Sequence, residues 1–252
     1  MLKWSPANAK THALAMIPTL QSYLQNKRKI YSLDLLSGWS CPMAVNCLSK
    51  VVDGKIVDGK FTKFRCFSAS QEVVYPNVFR SREHNFNLLR SCKSSMDMVK
   101  LILDSMPKNL GICRIHVGGD MFNAKYMLAW ASVAELNPDR LFYAYTKSLP
   151  YWLKFRDYFN SLPNFILTAS YGGRHDSLIP QHNLRSAIVV YSESQAASLG
   201  LEIDHDDSHA ADPNKKGKDF ALLIHGTQPA GSEAASALQL LRKNKVKHSY
   251  NR

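Results

Sequence analysis

The sequence lacks a long apolar run. No segment approaches the roughly 18 consecutive apolar residues that a membrane-spanning helix needs. Residues 1–18 also lack the uninterrupted apolar core of a secretory signal. We therefore expect a soluble, intracellular protein without a membrane partner.

Acidic residues are scarce, because 20 Asp and Glu stand against 32 Lys and Arg, and the formal net charge is +12. Charged residues make up only 21% of the chain and hydrophobic residues 45%, which excludes a mostly disordered protein. The basic surplus lies partly near the ends, at Lys27, Arg28, Lys29, Arg242, Lys243, Lys245, Lys247 and Arg252. Such clusters are typical of a nucleic-acid-binding patch and equally of a solvated basic tail.

Cysteine is also sparse. Five cysteines, an odd number, in 252 residues do not indicate the disulfide framework of a small secreted protein. Cys92 lies on the apolar stripe of a predicted helix and Cys113 opens a predicted strand, so we expect both to be buried in the core. Cys41, Cys47 and Cys66 cluster early in the chain and are considered below.

Six β-rich apolar segments alternate with helical patterns. The strands are predicted at 30–36, 112–117, 141–145, 164–169, 187–191 and 220–225, and the helices include 84–106, 123–136 and a last one ending near 243. The alternation predicts one α/β domain over 1–252 with a parallel sheet, an N-terminal extension at 1–29 and a basic tail at 244–252. Six units fit an open doubly wound sheet or a partial (β/α)6 TIM-like barrel. In either, functional groups lie at the carboxyl ends of the strands.

Three cysteines lie in the loop that follows the first predicted strand. Five residues separate Cys41 from Cys47, and eighteen separate Cys47 from Cys66. The longer gap contains Val-Asp-Gly-Lys twice, and Asp-Gly between β-forming residues predicts a hairpin that returns Cys66 towards Cys47. Thiolates bind soft metals, so the arrangement indicates an iron–sulfur or zinc site, with three buried thiols as the alternative.

A Gly-Gly-acid segment, Gly118, Gly119 and Asp120, follows the second predicted strand. Together with three cysteines after the preceding strand, it resembles the radical S-adenosylmethionine (SAM) architecture. That resemblance implies a partial (β/α)6 barrel, a [4Fe–4S] cluster on three cysteines and a glycine-rich segment that binds the amino group of SAM. The chain departs from that family in having Asp120 in place of Glu, and C-x5-C-x18-C in place of C-x3-C-x2-C.

Several short motifs follow one another along most of the chain. They are NAKT (8–11), SGWSCPMAVNC (37–47), FRCFSA (64–69), RIHVGGDMF (114–122), YAYTKS (143–148) and ASYGGR (169–174). In this order they resemble the gene product 88 family of tailed phages and marine viruses. The resemblance implies that Cys41, Cys47 and Cys66 hold an iron–sulfur cluster. It also implies a viral protein in the cytoplasm of the infected host cell.

Polar residues at the ends of the second and third strands are expected to form a pocket beside the cysteines. His116 is predicted to share a strand face with Arg114 and to point inward, as a cluster ligand, a proton carrier, a hydrogen-bonding neighbour or a core histidine. Asp120 is expected to cap the following helix or to hold a ligand amine. Tyr145 and Lys147 complete the pocket.

The densest titratable segment runs from Asp204 to His209. We expect a solvated acidic loop there, with a second metal site or an acid–base group as the alternative. The segment from His225 to Gln228, after the last strand, lies on the predicted functional face but has no specific chemical pattern.

These features predict an iron–sulfur protein that binds one [4Fe–4S] cluster through Cys41, Cys47 and Cys66. Three thiolates leave the fourth iron for another protein ligand, solvent or a small molecule such as SAM. The expected partner is a reductant or a small molecule. The alternatives are a zinc-stabilised protein that binds nucleic acid through its basic ends, and a divergent radical SAM enzyme.

Overall fold

An eight-stranded β-sheet forms the centre of the computed structural model, which describes residues 1–247. The strands are β1 (Ser5–Pro6), β2 (Lys29–Leu33), β3 (Ser49–Val52), β4 (Lys55–Asp58), β5 (Leu110–Ile115), β6 (Leu141–Thr146), β7 (Phe165–Ser170), β8 (Ser186–Val190), β9 (Glu202–Ile203) and β10 (Phe220–Leu223). The order across the sheet is β1-β2-β5-β6-β7-β8-β10-β9, and β3 and β4 form a separate hairpin.

Helices connect most of the strands. They are α1 (Ala9–His12), α2 (Phe67–Val74), α3 (Pro76–Ser91), α4 (Ser95–Ser105), α5 (Ala124–Glu135), α6 (Leu149–Lys154), α7 (Arg156–Asn160), α8 (Leu178–Gln181), α9 (Glu193–Ser198), α10 (Ser208–Ala211) and α11 (Glu233–Lys243). Short 3₁₀ helices span Ala13–Met16, Pro18–Leu24 and Pro213–Lys215. In the part of the chain that the structure describes, no helix is long and apolar enough to cross a membrane.

The six strands expected from the sequence are present as β2, β5, β6, β7, β8 and β10. Neighbours among them pair in parallel, and they stand side by side in chain order. The added strands are short, with β1 antiparallel at one edge and β9 parallel at the other. The predicted α/β class with a mostly parallel sheet is therefore confirmed.

The two faces of the sheet pack against different parts of the chain. On one face, Cys113 and Ile115 of β5 belong to the same core as Trp130 of α5. The opposite face, which we call the α10 face, packs against α10 and the first two 3₁₀ helices. Leu14 and Leu20 are fully buried on that face, so the expected N-terminal extension contributes to the core.

The continuous helix predicted over 84–106 is wrong, because the chain forms two helices there. The Ser94 hydroxyl accepts a hydrogen bond from the Asp97 N–H (3.1 Å), and the Asp97 carboxylate accepts one from the Ser94 N–H (2.9 Å). This capping box satisfies backbone amides that a helix start leaves without partners, so α4 begins anew after Ser94.

The hairpin predicted between Cys47 and Cys66 is present as β3 and β4. Asp53 and Gly54 connect the strands with φ values of 49° and 73°. Two consecutive positive φ values are what a type I′ turn requires, and Asp-Gly is a preferred pair for it. The local sequence therefore accounts for this excursion from the first loop.

Candidate metal-binding site

Hydrogen bonds at the base of the hairpin bring Cys66 back to Cys47. The carbonyl oxygen of Asn46 accepts a bond from the Phe64 N–H (3.1 Å). The Cys66 N–H donates to the hydroxyl of Ser49, the first residue of β3 (3.2 Å). The two cysteines flank the same hairpin base, as the spacing predicted.

The segment between Cys41 and Cys47 is held against the end of β7. The N–H groups of Val45 and Asn46 both donate to the carbonyl oxygen of Gly172 (3.0 and 2.9 Å). Because Gly172 lies just beyond the carboxyl end of β7, these bonds hold the cysteine segment over that edge of the sheet.

The three thiols line one cavity of about 170 Å³, which we call the cysteine cavity. All the predicted site residues lie on its wall: Cys41, Cys47, Cys66, His116, Gly118, Gly119, Asp120, Tyr145 and Lys147. Cys113 is fully buried in the core instead, and Cys92 lies at the end of α3. The structure thus brings the predicted set together, at the carboxyl ends of the strands.

The thiols influence one another. Burial raises the pKa of the Cys41 thiol well above its usual value, and the neighbouring Asp120, Cys66 and Cys47 raise it further. Burial also raises the pKa of Cys66 to about 11, with a further increase from Cys47. The neighbouring thiols therefore lie close enough to disfavour the thiolate forms of Cys41 and Cys66, and a cation among them would reverse that effect.

Close packing explains the two glycines after β5. A Cβ on Gly118 would lie 2.1 Å from Oγ of Ser68 in α2, the helix that begins after Cys66. A Cβ on Gly119 would lie 2.7 Å from Oγ of Ser40, and its φ of +99° is in the region that favours glycine. The pair lets the end of β5 approach both cysteine-bearing segments.

The expectation that Asp120 caps the next helix is wrong, because Asn123 occupies that position and caps α5 with its side chain. Asp120 is buried, and its carboxylate accepts hydrogen bonds from the Thr146 hydroxyl (2.6 Å) and the Lys147 N–H (2.8 Å). It also accepts one from the Met121 N–H (2.6 Å). Asp120 therefore joins the ends of β5 and β6 beside Cys41.

His116 does not share a face with Arg114, which corrects that prediction. Its φ of 70° departs from strand geometry and places its ring against α5, with Nε2 3.0 Å from Oη of Tyr126. The ring lies on the cavity wall, and its buried Nδ1 has no hydrogen-bond partner among residues 1–247. Burial, with a smaller effect from the Arg114 charge, lowers the pKa of His116 to about 3, so the ring is neutral near pH 7.

Lys147 and Tyr145 occupy the wall next to Asp120. The Lys147 ammonium donates to the Ser170 hydroxyl at the end of β7 (2.6 Å). The Tyr145 hydroxyl donates to the Asp204 carboxylate (3.3 Å) on the α10 face. Lys147 therefore supplies a positive charge at the cavity, whereas Tyr145 connects the cavity to a second polar region.

The second polar region includes residues of the segment from Asp204 to His209. The prediction of a solvated loop there is wrong, because three of its titratable side chains are buried. Asp204, Asp207 and His209 are only 4%, 0% and 6% exposed. Asp207 forms an ion pair with Arg114 and accepts a hydrogen bond from Tyr143 (3.0 Å), and Nδ1 of His209 lies 3.5 Å from the Asp204 carboxylate. We call Arg114, Tyr143, Asp204, Asp207 and His209 the ionic plug. Arg114 also lines the cysteine cavity, so the two regions adjoin.

A buried ion pair that no sequence pattern indicated holds α2 in place. Glu72 and Arg82 are 2% and 4% exposed, with 3.0 Å between Nη1 of Arg82 and Oε1 of Glu72. The same oxygen accepts hydrogen bonds from the N–H (2.9 Å) and hydroxyl (2.8 Å) of Ser37, which follows β2. The partners come from three separate segments, so no local pattern could have indicated them.

The arrangement of the thiols is not that of a site for one ion. Within residues 1–247, no group of three or more His, Cys, Asp or Glu side chains is placed to hold a metal ion. One zinc ion bound at about 2.3 Å would draw its sulphur ligands close together. The thiolates of an iron–sulfur cluster bind different irons, so they stand further apart.

None of the basic residues of the two ends that the structure describes lines the cysteine cavity. Lys27, Arg28 and Lys29 precede or begin β2 at the amino edge of the sheet, and Arg28 is paired with Asp139. Arg242 and Lys243 end α11, and residues 248–252, with Arg252, lie outside the described residues. Nucleic-acid binding by these ends stays a prediction.

The fold and the site together define an α/β protein with a three-cysteine cavity at the carboxyl edge of a parallel sheet. The chain belongs to the Gene product 88 family, which it matches over residues 4–243. It is similar to the "Gene 88 protein" of Mycobacterium phage L5, with 31% identity over 119 residues. That match spans 44% of each chain, less than half of the relative's length. No solved structure matches the chain. The family predicted from the motifs is confirmed, while the iron–sulfur and SAM implications stay predictions.

Proposed function

We propose that this chain is an iron–sulfur protein that binds one [4Fe–4S] cluster through Cys41, Cys47 and Cys66. The observation that carries the proposal is the convergence of these three cysteines on one cavity at the carboxyl ends of parallel strands. Cysteine thiolates are the main protein ligands of such clusters. A bound cluster would supply one-electron transfer, or Lewis-acid chemistry at an iron that no thiolate holds.

The wall of the cavity fits such a group. An interior cavity of about 150 Å³ can hold a benzene ring, so about 170 Å³ accommodates one compact group. Burial raises the pKa values of Cys41 and Cys66, Cys66 and Cys47 raise that of Cys41 further, and Cys47 raises that of Cys66; a cationic centre would relieve this penalty. The buried Nδ1 of His116 offers one more polar contact.

Iron–sulfur chemistry is favoured over structural zinc by the arrangement of donors. A zinc site needs four tetrahedral ligands around one ion. In the described part of the chain, even three candidate donors are not placed around one point. The three cysteines nevertheless share one cavity, which supports a polynuclear group.

We also propose that the sheet forms a partial (β/α)6 barrel, which is TIM-like and has the strand arrangement of radical SAM enzymes. The order of the strands supports this. Six parallel strands stand in chain order. A doubly wound sheet would instead reverse its strand order at a switch point. In the barrel plan, the cysteine cavity lies at the end where active sites occur.

The chain's own residues favour a redox role over SAM chemistry. Asp120 occupies the position expected to bind the SAM amino group, but it already accepts three hydrogen bonds from its own and the next loop. Lys147 places a positive charge on the wall, which would stabilise added negative charge on reduction. We propose a reductant or a small molecule as partner, in the cytoplasm of an infected host cell.

Anaerobic purification of the full chain tests the proposal. We expect a brown protein whose visible absorbance comes from thiolate-to-iron charge transfer, with iron and acid-labile sulfide in equal amounts. A colourless protein with stoichiometric zinc would overturn the proposal. If the reduced, iron-loaded protein does not bind SAM, the result supports a redox role and excludes a radical SAM enzyme.

A further inference from the structure

The loop after β10 holds His225 beside Cys66. The carboxamide of Gln228 accepts a hydrogen bond from the Arg65 N–H (2.7 Å) and donates to the Arg65 carbonyl oxygen (3.0 Å). The same amide nitrogen lies 3.0 Å from the carbonyl oxygen of His225, to which it also donates. Gln228 thus ties the residue before Cys66 directly to His225.

The residues after Cys66 continue this contact. A Cβ on Gly226 would lie 2.7 Å from Cβ of Phe67, and the φ of Gly226 is +81°, so a side chain is excluded there. The ring centroids of His225 and Phe67 are 4.5 Å apart. Backbone and ring packing together fix the position of His225 on the wall that Cys66 lines.

A backbone hydrogen bond sets the tautomer of His225. Its Nδ1 lies 3.1 Å from the carbonyl oxygen of Leu223, the last residue of β10. A carbonyl oxygen only accepts, so Nδ1 carries the hydrogen and Nε2 carries the lone pair. Metal-binding histidines are commonly oriented in this way, with one nitrogen donating to a carbonyl and the other binding the metal.

We infer that His225 is the fourth protein ligand of the cluster, through Nε2, at the iron that Cys41, Cys47 and Cys66 leave open. This inference rests on the proposed function and deepens it. A set of three cysteines and one histidine leaves no iron for SAM or a substrate, so the site transfers electrons. His116 shares the cavity, with its Nε2 3.0 Å from Oη of Tyr126 and its Nδ1 without a hydrogen-bond partner among residues 1–247, so it is the alternative nitrogen ligand that the experiment must exclude.

Pulsed electron-paramagnetic-resonance spectroscopy on the reduced, cluster-loaded full chain tests this. We expect strong coupling to a directly bound nitrogen, and a change from the ¹⁴N to the ¹⁵N pattern when the histidines are ¹⁵N-labelled. His225→Cys should keep the cluster, lose the nitrogen coupling and lower the reduction potential, because thiolate in place of imidazole lowers cluster potentials. His116→Ala, the matched control on the same cavity, should keep the coupling.

The outcomes separate this inference from the proposed function. A wild-type cluster without histidine nitrogen coupling would overturn the assignment of His225 while leaving the iron–sulfur proposal intact. Coupling that persists in His225→Cys, or disappears in His116→Ala, would also overturn it. The wild-type measurement decides even where a variant does not fold. A wild-type protein without iron would overturn the proposed function, and this inference with it.

Discussion

The cysteine cavity and the ionic plug share Arg114, but the titratable groups of the two regions have different kinds of neighbours. In the plug, buried charges face opposite charges from distant segments, as Arg114 faces Asp207 and His209 faces Asp204. In the cavity, burial and neighbouring thiols raise the pKa values of Cys41 and Cys66.

This difference separates a stabilising region from a binding region. In the plug, the buried Asp207 and Asp204 each lie close to a basic side chain, Arg114 and His209, so no additional cation is needed to compensate their charges. The cavity groups together would be stabilised by a cationic ligand. We therefore expect changes in the plug to alter stability, and changes in the cavity to alter what the protein binds.

The largest expected effect is loss of the cluster from cavity variants. Cys41→Ala, Cys47→Ala and Cys66→Ala should each abolish the visible absorbance and the bound iron, because each thiolate holds a separate iron. Iron and sulfide analysis after anaerobic purification measures this. Cys92→Ala and Cys113→Ala are the matched controls and should retain the cluster. Retention in Cys66→Ala with loss in Cys113→Ala would place the site elsewhere.

The next effect is loss of stability from the plug. Asp207→Asn keeps a residue that tolerates the φ of 64° but removes the negative charge that Asp207 places against the buried Arg114. We expect the free energy of unfolding in urea to fall by about 3–5 kcal/mol, as when other buried pairs are broken. Iron content per folded chain should stay unchanged.

Asp104→Asn is the control for this variant, since it breaks the exposed Lys100–Asp104 pair. That change should cost less than about 1 kcal/mol. An equal cost for the two variants would contradict a stabilising role for the ionic plug.

A smaller effect is expected from His116. His116→Ala should retain nearly all the iron but shift the reduction potential or the electron-paramagnetic-resonance spectrum, because hydrogen bonds around a metal site tune it without holding it. His12→Ala, at an exposed position, is the control. A loss of iron as complete as in the cysteine variants would make His116 a ligand, and an unchanged spectrum and potential would leave it a core residue.

The smallest effect is a pH dependence of stability. The Asp204 carboxylate, 3.5 Å from Nδ1 of His209, raises the pKa of His209 against the opposing effect of burial, with a further increase from Glu202. The folded state therefore favours the protonated ring. This stabilisation is fully present below the ordinary His pKa of about 6.5 and is lost as the pH rises through the higher folded value.

Urea unfolding at several pH values tests this with His209→Gln. The stability difference between wild type and variant should shrink as the pH rises above about 6.5. His205→Gln, at an exposed position, should leave the pH profile unchanged. A difference that grows with pH would contradict the assigned direction of the pKa shift.

One wrong prediction could have been avoided, because the sequence contains the pattern that indicates the correct structure. Ser94 and Asp97 have the spacing of a capping box, so the break between α3 and α4 could have been predicted from those residues. The sequence placed His225 on the predicted functional face of the sheet. No residue near it in sequence indicated that Gln228 would connect it to Arg65 through hydrogen bonds. The distance of 163 residues between those partners explains why.

The sequence by itself determined the six parallel strands, the Asp-Gly hairpin and the placement of Cys41, Cys47 and Cys66 at one edge of the sheet. These follow from side-chain alternation and turn geometry, which depend on residues only a few positions apart. Only the tertiary structure decided that Asp204, Asp207 and His209 are buried and that His116 turns towards α5. Burying a charge is favourable only where an opposite charge meets it, and Arg114, 93 residues from Asp207, reaches it only in the folded chain.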